Sequence, residues 1–249
     1  MGIGAHMPVE KLVQKLVSWI KRSTLVAGGK GVVFGMSGGI DSSVVAVLCQ
    51  KAFPTASLGI IMPCQSNVLD QKHAELVANK FHIPAKVIVL DGVFEMLIKT
   101  FSANNDDSFT QRLAKVNIKP RLRMLTLYYF ANRLNYLVIG STNRSELFVG
   151  YFSKHGDGGV DLMPLGNLVK SQVKELAVYL KIPGEIIDKP PSAGLWDGQT
   201  DEKEMGLTYN ELDHYLITGE AKKSTRAKIE SLAKKNSHKL FLPLTPPNF

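Results

Sequence analysis

The stretch FGMSGGIDSS, Phe34 to Ser43, decides how the rest of the chain is interpreted. It joins a short β-branched run, GVVFGM from Gly31 to Met36, to a segment from Asp41 to Ala52 whose pattern is typical of a helix. A turn of small residues between a strand and a helix leaves the first N–H groups of the helix unpaired, and the helix dipole adds partial positive charge there. The stretch therefore predicts a phosphate-binding loop.

The predicted nucleotide-binding loop has no lysine at the position that a Walker A sequence requires. Asp41 stands there instead, and a carboxylate beside phosphate groups needs a bridging divalent cation, so Asp41 predicts a Mg²⁺ ion. A simple helix N-cap remains an open alternative for this aspartate at this point. The loop positions expected to contact ATP are Gly35, Met36, Ser37, Gly38, Gly39, Ile40, Asp41 and Ser42.

Short apolar runs alternate with helical patterns along the rest of the chain. Further strands are predicted over Ala56 to Met62, Lys86 to Leu90 and Tyr136 to Ser141, and helices over residues 9–20, 69–81 and 168–180. This alternation predicts an α/β fold with a three-layer, doubly wound parallel sheet, Rossmann-like, that binds ligands beyond the C-terminal strand ends. Pro120 is expected to break or kink a helical stretch from Ser108 to Leu134.

Composition excludes several classes of protein. The 249 residues are 45% hydrophobic, without the run of about 18 apolar residues that a membrane span needs, so no membrane partner is expected. Two cysteines, Cys49 and Cys64, give neither a disulfide framework nor a zinc spacing, which favours a cytoplasmic location. We predict a single domain over residues 1–249, with residues 1–6 an expression-tag remnant. The net charge of +8 indicates an anionic partner, and nucleic acid is not expected.

Three later segments carry a resemblance to a known family. The run FSKHGDGGVDLMPL, Phe152 to Leu165, closely resembles the signature region of NAD synthetases, which are ATP pyrophosphatases, and SGGIDSS is similar to the pyrophosphate loop of that superfamily. Lys189 to Leu216 and HKLFLP, His238 to Pro243, resemble later segments of the family. The resemblance implies the adenine-nucleotide hydrolase type of fold, a homodimer, and ATP and Mg²⁺ as co-substrate and cofactor.

The resemblance also implies the reaction. ATP adenylates the nicotinate carboxylate of nicotinic acid adenine dinucleotide (deamido-NAD), pyrophosphate leaves, and ammonia converts the NAD-adenylate into NAD and AMP. Free ammonia is the expected donor because the first βα unit begins near residue 31, which leaves no room for a preceding amidase domain. A tRNA-modifying ATP pyrophosphatase and a non-catalytic nucleotide-binding module are the alternative functions.

Residue roles follow from the resemblance, position by position. Asp41 and Lys170 are the expected catalytic residues, and Asp41 and Glu146 the expected metal ligands. Ser141, Lys170 and Ser192 extend the ATP site; both serines stand where the family usually has threonine, so the hydroxyl survives. The expected deamido-NAD ligands are Arg121, Lys154, Asp157, Asp161, His238 and Lys239. Asp157 has an alternative role in holding its own loop.

Overall fold

The structure is a computed structural model that describes residues 7–101, 109–192, 194, 198–243 and 245–247, and no side chains over 109–112. Residues 1–6, the predicted tag remnant, lie outside the described residues. The strands are β1 (Gly31–Gly35), β2 (Ser57–Ile61), β3 (Ala85–Val87) and β4 (Tyr136–Ile139). The helices are α1 (Val9–Val26), α2 (Ile40–Ala52), α3 (Val68–Lys80), α4 (Asp91–Phe101), α5 (Phe109–Val116), α6 (Ile118–Leu134), α7 (Arg144–Val149), α8 (Lys170–Tyr179), α9 (Gly184–Ile187), α10 (Asp201–Met205), α11 (Tyr209–Thr218) and α12 (Lys223–Asn236), followed by a 3₁₀ turn, Ser237–Lys239. None of the helices described is long and apolar enough to cross a membrane.

The four strands form one sheet in the order β3-β2-β1-β4, and every neighbouring pair is parallel. The chain runs outward from β1 to β2 and β3, then returns to place β4 on the other side of β1. This reversal makes the β1/β4 boundary the switch point of the sheet, where a crevice opens beyond the carboxyl ends of the strands. The predicted parallel α/β sheet is confirmed.

Two apolar cores cover the two faces of the sheet, because successive strand residues point to opposite sides. Val32 and Phe34 of β1 pack with α1, α2 and α8 on one face, while Val33 of β1 and Val138 of β4 pack with α4 and α6 on the other. The predicted three-layer arrangement is therefore confirmed, and residues 31–34 of β1 are buried between the layers.

A third apolar cluster joins the last helices to the centre of the fold. Leu212 of α11 and Ile229 of α12 are fully buried and pack with Val149 of α7. Since α7 follows directly from β4, this cluster fixes α11 beside the carboxyl ends of the strands. The C-terminal helices are thus part of the framework around the crevice.

Two local predictions differ from the structure. The helical stretch breaks at Asn117, between α5 and α6, so the predicted break or kink at Pro120 is wrong. Pro120 lies in the first turn of α6, where its missing N–H would have no intrahelical partner and its fixed φ suits the helix. The strand predicted over Lys86 to Leu90 ends at Val87, and β3 is a short exposed edge strand.

Candidate active site

A cleft of about 1340 Å³ opens at the carboxyl edge of the sheet. Met36 after β1, Met62 after β2 and Gly140 after β4 all line it. Pockets for one drug-sized ligand usually occupy about 300 to 1,000 Å³, so this cleft has room for two nucleotide-sized ligands together.

Most of the residues predicted from sequence meet in this cleft. The members that line it are Gly35, Met36, Ser37, Gly39, Ile40, Asp41, Ser42, Ser141, Glu146, Asp157, Lys170, Ser192 and Lys239. Five others, Gly38, Arg121, Lys154, Asp161 and His238, are not among the lining residues.

The loop between β1 and α2 is organised by its own serines. The Ser37 and Ser42 hydroxyls lie 2.9 Å apart, and the Ser42 and Ser43 hydroxyls donate to the Gly39 carbonyl at 3.0 and 2.8 Å. Gly39, the N-cap of α2, has no side chain with which to cap the helix. The first N–H groups of α2 therefore face the cleft without a side-chain cap, which is the arrangement that binds phosphate.

Gly38 is the one loop position where a side chain cannot be accommodated. Its φ of +76° lies in the left-handed region, and an added Cβ would collide with the Asp70 carbonyl oxygen at the start of α3. We expect Gly38→Ala to lower the free energy of unfolding by about 2 to 4 kcal/mol, measured by urea unfolding of the ligand-free protein.

Gly39→Ala is the matched control for that substitution. The φ of Gly39 is −92°, and an added Cβ would meet only the Ser37 hydroxyl oxygen, at 3.4 Å. A loss of stability in Gly39→Ala as large as in Gly38→Ala would contradict the assignment of strain to residue 38.

Asn143 brings the two predicted metal ligands together. It is the N-cap of α7 and forms a capping box with Glu146, whose Oε2 accepts from the Asn143 backbone N–H at 3.1 Å. Its side-chain amide donates to Asp41 Oδ1 at 2.9 Å. Asn143, in the loop between β4 and α7, therefore connects Asp41 to Glu146 across the switch point.

Lys170 lies between these two carboxylates. Its Nζ donates to Asp41 Oδ2 and lies 3.6 Å from Glu146 Oε1, and all three side chains are largely buried. Burial, followed by repulsion from Asp41, raises the pKa of Glu146 to about 8. Burial opposes the charge of Lys170, but attraction to Asp41 and Glu146 outweighs it, so the pKa of Lys170 is raised. The cluster therefore combines two buried acids with one firmly charged ammonium.

The carboxylate pair suits a Mg²⁺ ion. The described residues contain no group of three His, Cys, Asp or Glu side chains that could hold a metal ion without further ligands. Mg²⁺ characteristically binds one or two carboxylates together with substrate phosphates and water. The ammonium of Lys170 already occupies the space between Asp41 and Glu146, so this space attracts positive charge.

Tyr209, the first residue of α11, closes the cluster on its far side. Its hydroxyl lies 3.2 Å from Glu146 Oε1 and 2.9 Å from Asp201 Oδ2, and its ring lies 5.0 Å from Lys170 Nζ. Burial, followed by the neighbouring carboxylates, raises the pKa of the Tyr209 hydroxyl, which remains protonated. The hydroxyl therefore stabilises the orientation of the buried carboxyl groups.

The predicted dinucleotide ligands form a basic rim rather than a buried pocket. Arg121 donates to the Lys154 carbonyl at 3.4 Å, and Lys154 Nζ donates to the His238 carbonyl at 2.8 Å. Lys239 Nζ donates to the carbonyls of Gly150 and Phe152 at 2.8 and 3.0 Å. The hydrogen-bond partners of these two lysines are neutral carbonyls, although Lys239 also interacts with the charge of Asp157. Their positive charge can therefore attract an anionic ligand.

Two predicted substrate aspartates have partners within the protein. Asp157 Oδ1 accepts from the Ser153 N–H at 2.8 Å, as expected for a residue that holds its own loop, and burial raises its pKa. Asp161 accepts from the Tyr128 hydroxyl at 2.9 Å and from the Val138 N–H at 2.8 Å, outside the lining of the cleft. The structure thus separates Asp161 from the Asp41 cluster.

Comparison with known proteins agrees with this arrangement. The NAD synthase family matches residues 12–243, nearly the whole chain. The chain belongs to the NAD synthase family. It is 50% identical over 237 residues to the NH3-dependent NAD+ synthetase of Carboxydothermus hydrogenoformans, with 95% of this chain and 97% of that relative covered. It is 47% identical to the NH3-dependent NAD+ synthetase of Finegoldia magna, with 94% of each chain covered.

Solved structures of the NAD synthase family have the same fold. NMN synthetase from Francisella tularensis superposes with a TM-score of 0.92 at 38% identity, covering 98% of this chain and all of that one. NH3-dependent NAD synthetase from Campylobacter jejuni superposes with a TM-score of 0.79 at 29% identity, covering 97% and 100%. The predicted adenine-nucleotide hydrolase type of fold is therefore confirmed.

Neither cysteine of this NAD synthase family member is available as a nucleophile. Cys49 and Cys64 are both unpaired and fully buried, and burial raises the pKa of each thiol. A thiol kept protonated and away from solvent does not attack glutamine. The described residues therefore fit the use of ammonia itself.

Asn143, Tyr209 and Asp201 were not among the site residues predicted from sequence. The pattern Asn143-x-x-Glu146 before an apolar segment is a recognisable capping box and was the one available signal for Asn143. Tyr209 and Asp201 reach the cluster only through the packing of α10 and α11, which no local pattern reveals.

Proposed function

We propose that this chain catalyses the ATP-dependent amidation of deamido-NAD by ammonia, giving NAD, AMP and pyrophosphate. The cluster of Asp41, Glu146 and Lys170 at the phosphate loop of an NAD synthase fold carries this proposal. A tRNA-modifying pyrophosphatase and a non-catalytic nucleotide-binding module are less favoured, because curated relatives over nearly the full length are NH3-dependent NAD+ synthetases.

The chemistry explains why ATP is consumed. A carboxylate resists attack by ammonia because its leaving group would be oxide. An oxygen of the nicotinate carboxylate attacks the α-phosphorus of ATP, and the bond to the bridging oxygen of pyrophosphate breaks. Ammonia then adds to the acyl carbon of the NAD-adenylate, loses a proton and expels AMP. The protein contributes orientation and charge stabilisation rather than a covalent nucleophile.

The first helical turn of α2 and the loop before it are proposed to bind the triphosphate through backbone N–H groups. Ser141 and Ser192, which line the same cleft, are proposed to add hydroxyl contacts to ATP. Lys170 is proposed to leave Asp41 and approach the phosphates, where its ammonium stabilises the charge that develops on departing pyrophosphate. Lys170 and Asp41 both line the cleft and contact each other, which supports this exchange of partners.

Mg²⁺ is proposed as the cofactor, held by Asp41 and Glu146. When bound, the ion would neutralise phosphate charge and polarise the phosphoryl oxygens. Asn143 and Tyr209 then have the task of orienting the two carboxylates, through the hydrogen bonds at 2.9 and 3.2 Å described above. Metal ligands in proteins are commonly oriented by such outer contacts.

The rim residues are proposed to bind the anionic substrate. Arg121, Lys154, His238 and Lys239 would contact its phosphates and nicotinate end, supported by their mutual proximity beside the cleft. Asp161 is also proposed to contact the substrate, and Asp157 is proposed either to hold its own loop or to contact the substrate. The close superposition on an NMN synthetase also makes the mononucleotide acid, which carries the same nicotinate group, a second candidate substrate.

One assay tests the proposed function. Purified protein is incubated with ATP, Mg²⁺, ammonium and deamido-NAD, and NAD and AMP are quantified by chromatography. We expect both products in equal amounts, no NAD when glutamine replaces ammonium, and no reaction without Mg²⁺. Parallel reactions with nicotinic acid mononucleotide compare kcat/KM for the two acids. Absence of AMP with both acids would contradict the proposal.

A homodimer is proposed, because α4 and α6 contact each other and both present exposed apolar side chains. Met96, Leu125 and Tyr129 are 68%, 63% and 57% exposed. α6 also begins near the cleft with Arg121, so a second copy on this face would lie close to the substrate rim. We expect sedimentation velocity to show a dimer that Leu125→Asp dissociates, whereas Val178→Asp, 61% exposed on α8, leaves it intact. A monomeric parent protein would contradict the proposal.

A cytoplasmic location is also proposed. Unpaired thiols at Cys49 and Cys64 support it, since neither requires an oxidising compartment. Fractionation of the native cells would test it.

A further inference from the structure

Helix α11 contains a buried carboxylate, Asp213, that the proposed reaction does not use. Its side chain is 5% exposed, and two groups donate to it: the Ser145 hydroxyl to Oδ1 at 2.5 Å and the Ser171 N–H to Oδ2 at 2.7 Å. No ion pair of Asp213 is found among the described residues. A buried charge without a cation costs free energy unless hydrogen bonds and dipoles compensate it, so its place in the fold needs an explanation.

Both donors are adjacent in sequence to residues of the candidate centre. Ser145 precedes Glu146 on α7, and Ser171 follows Lys170 on α8. The backbone N–H of Lys170 in turn donates to the Ser145 hydroxyl oxygen at 3.2 Å. Asp213 therefore connects the start of α8 to α7 at the point where Lys170 and Glu146 face each other.

Helix α8 depends on a side chain from elsewhere to satisfy its first N–H groups. Its N-cap is Val169, an apolar residue that makes no side-chain cap. Asp213 supplies the missing acceptor, directly for Ser171 and through Ser145 for Lys170. A negative charge at a helix N-terminus is also favoured by the helix dipole, which compensates the burial of this carboxylate.

The same helix contacts the other side of the centre. Tyr209 lies four residues before Asp213, so both side chains project from one face of α11. Tyr209 contacts Glu146, and Asp213 contacts the residues beside Glu146 and Lys170. Helix α11 therefore contacts Glu146 through Tyr209 and the neighbours of Glu146 and Lys170 through Asp213. The apolar cluster around Leu212 holds the helix in place.

We propose that Asp213 is a positioning residue: it fixes the start of α8 against α7 and so sets where the Lys170 ammonium stands relative to Glu146 and the phosphates. This inference rests on the proposed function. Lys170 Nζ lies 3.6 Å from Glu146 Oε1, and a displacement of about 1 Å in such a group lowers a rate by up to about 10²-fold. Asp213 would act through the backbone, since it does not line the cleft.

The test compares Asp213→Ala and Asp213→Asn with the parent protein in the NAD-forming assay. We expect Asp213→Ala to lower kcat on the order of 10- to 100-fold, with a change of less than about 3-fold in the KM for deamido-NAD. Asp213→Asn keeps an acceptor oxygen for the Ser171 N–H and should recover at least half of that loss on a logarithmic scale. If Asp213 positions α8 through hydrogen bonds, asparagine should restore activity. If only its negative charge were required, asparagine should not.

Ser145→Ala provides a second route to the same measurement if Asp213→Ala folds poorly. It removes the link between Asp213 and the Lys170 N–H, so kcat should fall about 10-fold. The double variant Ser145→Ala/Asp213→Ala should lose less than the product of the two single effects, because both act on the start of α8. A double variant whose loss in kcat equals the product of the two single losses would contradict a shared action on the start of α8.

Glu211→Ala is the matched control on α11. Glu211 caps its own helix by accepting from the Thr208 N–H and hydroxyl, and among the described residues no hydrogen bond or ion pair joins it to α8. Its loss should lower the Tm while kcat per folded molecule stays unchanged. If Asp213→Ala and Ser145→Ala behave the same way, with lower Tm and unaltered kcat, Asp213 is only structural and the inference fails. A parent protein without NAD-forming activity would instead refute the proposed function.

Discussion

Replacing Asp41 by asparagine is expected to reduce Mg²⁺-dependent pyrophosphate release on the order of 10³-fold while the protein remains folded. Asparagine has the same shape and keeps an oxygen for the Asn143 amide, which donates to Asp41 at 2.9 Å. It removes the negative charge that the proposed metal ion needs, and its NH2 group cannot accept from the Lys170 ammonium. The proposed metal ligand and the anionic partner of Lys170 in the ligand-free protein are therefore lost together.

The measurement for Asp41→Asn is pyrophosphate release in single-turnover reactions, with the Tm recorded in parallel. Asp188→Asn is the matched control, because it makes the same chemical change at an exposed residue after α9 that does not line the cleft. We expect that control to release pyrophosphate at the parent rate. Normal turnover by Asp41→Asn would exclude Asp41 as a metal ligand. The alternative that Asp41 is the helix N-cap is wrong, because Gly39 is the N-cap of α2 and Asp41 lies in its first turn.

Lys170→Ala is expected to lower the rate of adenylation by about 10²- to 10³-fold, with a much smaller effect on the affinity for deamido-NAD. The ammonium is proposed to stabilise charge that appears on pyrophosphate only as the bond breaks. The ligand-free variant should also unfold at lower temperature, because Asp41 and Glu146 are left as buried acids without their cation.

Equal losses in adenylation and in dinucleotide affinity would contradict this role and indicate a general contribution to binding. The matched control is Lys174→Ala, one turn further along α8, where the side chain is exposed and does not line the cleft. That control should match the parent in rate and in Tm. Mg²⁺ should restore part of the Tm lost in Lys170→Ala, since it would replace one cation by another.

The sheet and the phosphate loop could be predicted from sequence because their signals are local. Buried strands such as β1 appear as continuous apolar runs, and Ser37 to Asp41 follow β1 directly. The helix break was placed at Pro120 because proline disrupts a helix interior. Proline is equally compatible with the first turn of a helix, which is where Pro120 lies. The end of β3 was not predicted correctly, because the sequence of an exposed edge strand has no pattern that distinguishes strand from loop.

The supporting residues of the site could not be predicted in the same way. Lys170 and Glu146 were assigned through a resemblance to a family, whereas their contact with Asp41 depends on strand order. Asp213 lies 42 residues from its partner Ser171 in sequence and looks like any polar position of an amphipathic helix. Its burial arises only when α11 packs against α7, which is a tertiary event.

The placement of Lys170 beside Asp41 has a consequence for the charge of the site before substrate binds. The ammonium acts as an internal counter-ion, so the resting protein is neutralised at this point without any dissolved ion. If Mg²⁺ is the cofactor as proposed, a chelator should abolish activity and leave the Tm of the ligand-free protein unchanged. The proposed ion would have to replace the Lys170 ammonium beside Asp41, and a nucleotide bound at the same time would offer that lysine another anion.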